Sequence, residues 1–109
     1  MNTEATRKLY KTLSSQQFQQ VMNETKNAVL LDVRTEEEFN SERIPNAVNM
    51  NVTGSSFAEE IAELDKNQTY FVYCRSGGRS ATACSMMTAR GLEVYNLSGG
   101  ITNWTGEVC

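Results

Sequence analysis

Histidine is missing from the 109 residues of this chain. Its absence excludes the Ser-His and Cys-His pairs that activate many nucleophiles, and it removes histidine as a metal ligand. Any general base must therefore be an aspartate, a glutamate, a thiolate or water. We expect neither a metal ion nor a cofactor at the functional site.

Long apolar segments are missing as well. No run approaches the ~20 residues that are needed to cross a bilayer, and the polar start MNTEATRKLY lacks the apolar centre of a signal peptide. The three cysteines are an odd number without close pairing, which does not fit a secreted disulfide scaffold. We therefore expect a cytoplasmic location and no membrane partner.

The chain also lacks an excess of basic residues, since ten lysines and arginines face thirteen acidic residues and give a net charge of −3. Such a balance gives no reason to expect a nucleic-acid partner. The length predicts one domain, residues 1–109, which is large enough to form a core without disulfides or metals. Because the net charge is negative, any positive electrostatic potential must be confined to a small region, and the one close cluster of basic residues is the loop that holds Arg75 and Arg79.

Short apolar segments alternate with helical patterns along the chain. Strands are predicted at residues 9–13, 28–33, 47–50, 69–73 and 93–97. Helices are predicted to begin after Ser14 or Ser15, after Thr35, after Ser55 or Ser56 and at about Gly78, and a short one at residues 101–104. Strands that alternate with helices predict an α/β fold with a mainly parallel sheet and right-handed crossovers.

The segment VYCRSGGRSATA places Cys74 after the strongest predicted strand and before a helix. Ligands of parallel sheets bind beyond the carboxyl ends of strands, and a helix N-terminus points free N–H groups at such a loop. Gly77 and Gly78 allow successive amides to turn inwards, and the nearby Arg75 and Arg79 favour an ionised thiol. The loop therefore predicts a site for a thiolate and an anionic ligand. The alternative is an inert buried thiol with solvent-facing arginines.

The segment CRSGGRS resembles the active-site loop of rhodanese-like sulfurtransferases, whose single-domain members commonly show Cys-x-x-Gly-x-Arg-Ser. LLDVRTEEEF is similar to the family's Asp-Val-Arg…Glu-Phe segment, IPNAVN to its Ile-x-Gly-Ala-x-Asn, and NLSGGITNW to its Leu-x-Gly-Gly-x-x-x-Trp. The motifs occur in the family's order over residues 28–104. The resemblance implies a rhodanese-like three-layer fold, with a five-stranded parallel sheet of order 1-5-4-2-3 flanked by helices.

The resemblance also implies a reaction. Cys74 would be the nucleophile that takes a sulfane sulfur from thiosulfate or a persulfide, and then passes it to a thiol, to cyanide or to a sulfur-accepting protein. The implied substrate-binding residues are the rest of the loop: Arg75, Ser76, Gly77, Gly78 and Arg79. Their amides would surround the outer sulfur, Arg75 would help to hold an anionic donor, and Arg79 would stabilise the loop or the charge.

Asp32 and Arg34 end the neighbouring predicted strand, so we expect them to support the loop. The alternative is a capping carboxylate and a surface ion pair of Arg34 with Glu37 or Glu38, worth ~0–1 kcal/mol.

Two cysteines and two glycines lie outside the loop. Cys84 stands ~8 Å along the predicted helix axis at ~1.5 Å per residue, which is too far for a disulfide with Cys74, and we predict that it belongs to the core. We interpret Cys109 as an incidental terminal thiol rather than one that reaches a neighbouring molecule. Gly99 and Gly100 are predicted to shape the turn into the last helix rather than to bind phosphate.

The sequence departs from the family pattern in one place. Where relatives usually have Gly-His-Ile, this chain has Glu42, Arg43 and Ile44, and Asn46 replaces the next glycine. We interpret the histidine position as structural. Loss of a glycine can forbid a positive φ, so the conformation of this turn is left open.

Two further functions remain open beside the enzyme. One is a non-catalytic persulfide carrier or interaction module that serves a protein partner. The other is a Cys-based phosphatase or arsenate reductase, whose loops place arginine after five intervening residues. Only four residues separate Cys74 from Arg79, and the smaller ring favours sulfur over a tetrahedral phosphate.

Overall fold

A computed structural model describes residues 10–109. The strands are β1 (Lys11–Leu13), β2 (Ala28–Asp32), β3 (Val48–Asn49), β4 (Thr69–Tyr73) and β5 (Glu93–Leu97). The helices are α1 (Ser15–Glu24), α2 (Glu36–Ser41), α3 (Phe57–Ala62) and α4 (Gly78–Ala89), and a 3-10 helix spans Gly100–Asn103. The first predicted strand began at Leu9, which lies outside the described residues. Between residues 10 and 109, no helix has the length and apolar character that a bilayer span requires.

The five strands form one sheet of order β1-β5-β4-β2-β3, and every neighbouring pair is parallel. This confirms the expected order. Strand β4 lies at the centre between β2 and β5, and its last four residues are each at most 2% exposed. Its unbroken apolar sequence, TYFVY, is what a strand covered on both faces requires.

Helices cover both faces of the sheet. On one face, α3 and α4 contribute Phe57, Ile61, Cys84 and Met87 to a buried cluster, so the prediction that Cys84 belongs to the core is confirmed. On the other face, the fully buried Phe18 of α1 packs edge-to-face on Phe71 with 5.5 Å between ring centroids. Burial of each phenylalanine, isoleucine or methionine side chain among these stabilises the fold by ~1.5–3 kcal/mol relative to leaving it exposed.

The helix starts follow the capping signals in the sequence with one exception. Ser14 and Thr35 each form a capping box, with Gln17 and Glu38 respectively. Ser56 occupies the N-cap position of α3, but its side chain makes no capping hydrogen bond.

The register of the sheet brings two functional segments together. Asp32, at the end of β2, pairs with Tyr73, at the end of β4. Because parallel strands present their carboxyl ends at the same edge, the segments after β2 and β4 meet there. Cys74 and Arg34 therefore follow neighbouring strands at one edge of the sheet.

Candidate active site

Cys74 directly follows β4 and is 1% exposed. Its Sγ accepts the backbone N–H of Gly77 at 3.0 Å and lies 3.3 Å from the Oγ of Ser80. Burial opposes ionisation of the thiol, but the Ser80 hydroxyl and the amides of Ser80, Gly77 and Ser76 outweigh it, so the pKa of Cys74 is lowered. These groups are arranged to hold a negative sulfur.

Ser80 has a hydroxyl proton that can serve either of two acceptors. Its Oγ lies 3.2 Å from the carbonyl of Gly77, and the Cys74 thiol can donate to the same Oγ. Once the thiol ionises, the sulfur becomes an acceptor, and the hydroxyl can turn its proton towards it. Sequence reasoning assigned Ser80 no role, although its position in the first turn of the helix after the cysteine was an available signal.

The 3-10 helix donates hydrogen bonds to the backbone of the loop between β4 and α4. The carbonyl of Cys74 accepts the Ile101 N–H at 2.9 Å, and the carbonyl of Arg75 accepts the N–H and the hydroxyl of Thr102 at 3.1 and 2.8 Å. A Cβ on Gly100 would overlap the carbonyls of Cys74 and Arg75. The close approach of two backbones therefore requires glycine at position 100.

Three glycines around the loop adopt the left-handed conformation. Gly77 has φ 113° at the N-cap of α4, so the chain turns sharply between the sulfur and the helix. Gly99 and Gly100 have φ 73° and 63° at the start of the 3-10 helix. They form the turn that was predicted for them.

Arg79 is bound by a carboxylate that sequence reasoning did not assign to it. Its Nη1 and Nη2 donate to Oε1 and Oε2 of Glu38 at 2.7 and 3.0 Å. The guanidinium, with help from the backbone and hydroxyl of Thr35, lowers the pKa of Glu38 to about 2. Glu38 thus closes the capping box of α2 and ties that helix to the Cys74 loop.

Asp32 and Arg34 form a buried ion pair at the end of β2, the strand beside β4. The Arg34 Nη2 lies 2.6 Å from the Asp32 Oδ2, and the Arg34 Nε and backbone N–H both donate to Oδ1 at 2.9 Å. Arg34 is only 5% exposed. The alternative of a surface ion pair between Arg34 and Glu37 or Glu38 is therefore wrong, because the nearer Asp32 and burial decide the partner.

The segment that departs from the family pattern is held by Arg34 of this pair and by Tyr73. The Arg34 Nη2 donates to the carbonyl of Glu42 at 2.6 Å, and the Ile44 N–H donates to the Tyr73 hydroxyl at 3.1 Å. Glu42 has φ −165°, an extended value that any residue adopts. Asn46 has φ 73°, a region that asparagine tolerates better than most residues. Neither missing glycine prevents this turn.

The tail of the chain lies against this segment. Cys109 and Arg43 exchange two backbone hydrogen bonds of 2.8 and 3.0 Å, and the Cys109 side chain is exposed. The guanidinium of Arg43 stands 4.6 Å from the centroid of the Phe39 ring and donates to the Phe39 carbonyl.

A groove of about 520 Å³ opens beside the loop. Ile101 and Thr102 of the 3-10 helix form part of its wall. Its charged lining consists of two arginines and three glutamates, namely Arg34, Arg75, Glu37, Glu38 and Glu42. Since Arg75 is the residue next to Cys74, the groove adjoins the sulfur site.

Comparisons with known proteins give a consistent result. The Rhodanese-like domain family model matches residues 14–107. The chain is 32% identical over 93 residues to a protein named sulfurtransferase from Allochromatium vinosum, covering 84% of this chain and 85% of the relative. It is 35% identical over 78 residues to the thiosulfate sulfurtransferase GlpE of Pseudomonas savastanoi pv. phaseolicola, covering 71% and 72% of the two chains. The crystal structure of a rhodanese-related protein from Thermoplasma volcanium has a TM-score of 0.80 at 26% identity, covering 92% of this chain and 98% of that one.

Proposed function

Because the chain belongs to the rhodanese-like domain family, we propose that it is a sulfurtransferase in which Cys74 carries the transferred sulfur. The observation that carries the proposal is the surroundings of the Cys74 sulfur. The Gly77 amide and the Ser80 hydroxyl lie within 3.3 Å of Sγ, and the pKa of the thiol is lowered. A thiolate is the form that attacks sulfur.

The donor in this proposal is thiosulfate or a persulfide, and the acceptor is a thiol or cyanide. With thiosulfate, the Cys74 thiolate attacks the outer sulfur and a new S–S bond forms. The S–S bond of thiosulfate breaks, and its electron pair leaves with sulfite. Cys74 is left as an anionic persulfide. The similarity to a thiosulfate sulfurtransferase supports this choice of donor.

The loop residues take different roles in the proposed reaction. In this proposal the amides of Ser76 and Gly77, which help to lower the pKa of Cys74, and the neighbouring amide of Gly78 surround the outer sulfur of the persulfide, and the exposed Arg75 contacts an anionic donor. Arg79 holds the loop through its bidentate contact with Glu38.

Asp32 and Arg34 support the proposed site from the neighbouring strand end. Their buried ion pair fixes the strand end beside the loop, and it also binds the segment at Glu42.

We further propose that residues 1–109 act as one domain in the cytoplasm, without a nucleic-acid or membrane partner. A persulfide that is turned over by free thiols is suited to a reducing compartment. The net charge of −3 gives no attraction to the phosphates of nucleic acids.

Mass spectrometry after thiosulfate treatment tests the proposed function. We expect the intact protein to gain one sulfur atom, peptide mapping to place it on Cys74, and cyanide to remove it with formation of thiocyanate. Sulfur on Cys84 or Cys109, or a gain that persists in Cys74→Ser, would refute the proposal. Repeated turnover with cyanide distinguishes an enzyme from a persulfide carrier, which would load once and release its sulfur only to a protein partner.

A further inference from the structure

Most positive charge near the Cys74 loop is neutralised within the protein. Arg34 is buried against Asp32, and both Nη atoms of Arg79 contact Glu38. Arg75 is exposed and has no ion-pair partner among residues 10–109. In the groove beside the sulfur site, Arg75 is therefore the cation that remains available to a ligand.

Two carboxylates that line the same groove are not neutralised in this way. Glu37 lies on α2 and Glu42 at its C-cap, and both are exposed. Neither forms an ion pair with any part of the chain that the structure describes. Arg43, the cation next to Glu42 in sequence, lies over the Phe39 ring and binds the Phe39 carbonyl instead. Among the described residues, the groove thus contains two carboxylates and one guanidinium without an ion-pair partner, so its unpaired charge is net negative.

We propose that Glu37 and Glu42 determine acceptor specificity, so that the groove favours a thiol acceptor carrying a positive charge beside its sulfur. This inference rests on the proposed sulfurtransferase function. The chemistry that fits is an aminothiol, or a cysteine flanked by lysines. An acceptor with a carboxylate beside its thiol is repelled at the same place.

The step concerned is transfer from the Cys74 persulfide to the acceptor. The acceptor sulfur attacks the outer sulfur of Cys74–S–S⁻, and a new S–S bond forms. The bond between the outer sulfur and Cys74 breaks, and its electron pair stays on Cys74 as the thiolate. The acceptor proton ends on the outer sulfur, so R–SH becomes R–S–SH without any oxidant or reductant.

The test uses three small thiols that differ mainly in charge: cysteamine, 2-mercaptoethanol and 3-mercaptopropionate. The protein is first loaded with thiosulfate, and the persulfide on Cys74 is verified by mass. Loss of the persulfide is then timed with each thiol in the wild type, Glu37→Gln, Glu42→Gln and Glu63→Gln. Glu63 is an exposed carboxylate at the C-cap of α3, a helix that packs on the face of the sheet opposite α1, and it serves as the matched loss of one charge.

For each protein, the rates with cysteamine and 3-mercaptopropionate are divided by the rate with 2-mercaptoethanol. Each ratio in a variant is then compared with the same ratio in the wild type. This comparison cancels the intrinsic reactivity of the thiols. A carboxylate about 8 Å from the acceptor charge changes such a rate about 2- to 5-fold. We expect Glu37→Gln and Glu42→Gln each to lower the cysteamine ratio and raise the 3-mercaptopropionate ratio by that factor. Glu63→Gln should change neither ratio by more than about 1.5-fold, and high salt should shrink the differences.

The outcomes separate this inference from the proposed function. If thiosulfate leaves no persulfide on Cys74, the proposed function fails. If the persulfide forms but the charge of the acceptor has the same effect in all four proteins, the function stands and the specificity role of Glu37 and Glu42 is overturned. A lysine-flanked cysteine peptide that is accepted while cysteamine is not would identify a protein thiol as the source of the same chemistry.

Discussion

At the scale of the residue, the lowered pKa of Cys74 results from short hydrogen bonds to its sulfur from residues close by in sequence. The Gly77 N–H and the Ser80 hydroxyl reach Sγ because Gly77 turns the chain at φ 113° and α4 begins immediately afterwards. Arg79, the second residue of α4, forms its ion pair with Glu38. Neutral donors at hydrogen-bond distance therefore stabilise the negative sulfur, together with the positive end of α4.

Replacing Ser80 by alanine should slow alkylation of Cys74. The thiolate loses a hydrogen-bond donor, so the pKa of Cys74 rises and the thiolate fraction at pH 7 falls. A hydrogen bond to a charged group of ~1.5 kcal/mol corresponds to a rate about tenfold lower. A peptide-mapped iodoacetamide time course measures this, with Ser85→Ala on the exposed side of α4 as the control. In the wild type, Cys74 should react well before Cys84. Equal rates for Ser80→Ala and the wild type would show that the hydroxyl does not hold the thiolate.

At the scale of the element, the Cys74 loop is fixed by helices that are distant in sequence. Glu38 joins α2 to the start of α4, and the 3-10 helix supports the carbonyls of Cys74 and Arg75. These contacts connect the loop to segments on both sides of it in the chain. We infer that the loop keeps its shape only when both segments are in place.

Glu38→Gln should destabilise the protein in a pH-dependent way. Glutamine retains the capping box but removes the charge that faces Arg79, so we expect the free energy of unfolding to fall by ~0.5–1 kcal/mol at pH 7. The pKa of Glu38 is lowered from 4.5 to about 2, so its contribution is complete above about pH 5 and disappears as the pH falls towards 2. Urea unfolding at pH 7 and pH 3 measures the change. Glu36→Gln, in the same helical turn, is the control, and a difference from the wild type that is unchanged at low pH would contradict the assigned ion pair.

Gly100→Ala should destabilise the fold and disturb the loop together. The new Cβ would overlap the carbonyls of Cys74 and Arg75, and the residue would keep a positive φ, so we expect a loss of ~1–3 kcal/mol. Gly78→Ala is the matched control for stability, because its Cβ would meet no atom within 4 Å. Thermal unfolding compares the two variants. Equal melting temperatures would show that the 3-10 helix can shift without cost.

At the scale of the whole molecule, the net charge of −3 and the carboxylates of the groove would act against the proposed anionic donor. Arg75 acts in the opposite direction at short range. Salt weakens long-range repulsion more than it weakens a contact pair, because the Debye length falls from ~30 Å at about 0.01 M salt to ~8 Å at about 0.15 M.

The kcat/KM for thiosulfate should therefore rise with ionic strength. Initial rates with cyanide, at thiosulfate concentrations well below KM, measure this between the two salt concentrations. We expect an increase of about 2- to 5-fold, with a smaller increase in Glu37→Gln. A fall in kcat/KM would show that Arg75 outweighs the carboxylates.

The sequence by itself determined the order of the elements and the place of Cys74. Apolar runs such as TYFVY, and capping residues such as Ser14 and Thr35, act within a few residues of chain, so their signals survive without knowledge of the fold. A cysteine at the end of a buried strand and before a glycine-rich helix start is local in the same sense. The family's motifs then supplied the sheet order, which local patterns alone do not give.

Only the tertiary structure decided which charged groups meet. Arg79 and Glu38 are 41 residues apart, and Thr102 and Arg75 are 27 apart. Long side chains reach several partners, and burial selects one of them, as it did for Arg34 and Asp32. The positive φ of Asn46 was equally hidden, because a backbone angle depends on the packing around the turn as well as on the residue. The sequence therefore determined where Cys74 lies in the fold, and the packing of α2 and the 3-10 helix against its loop determined which groups pair there.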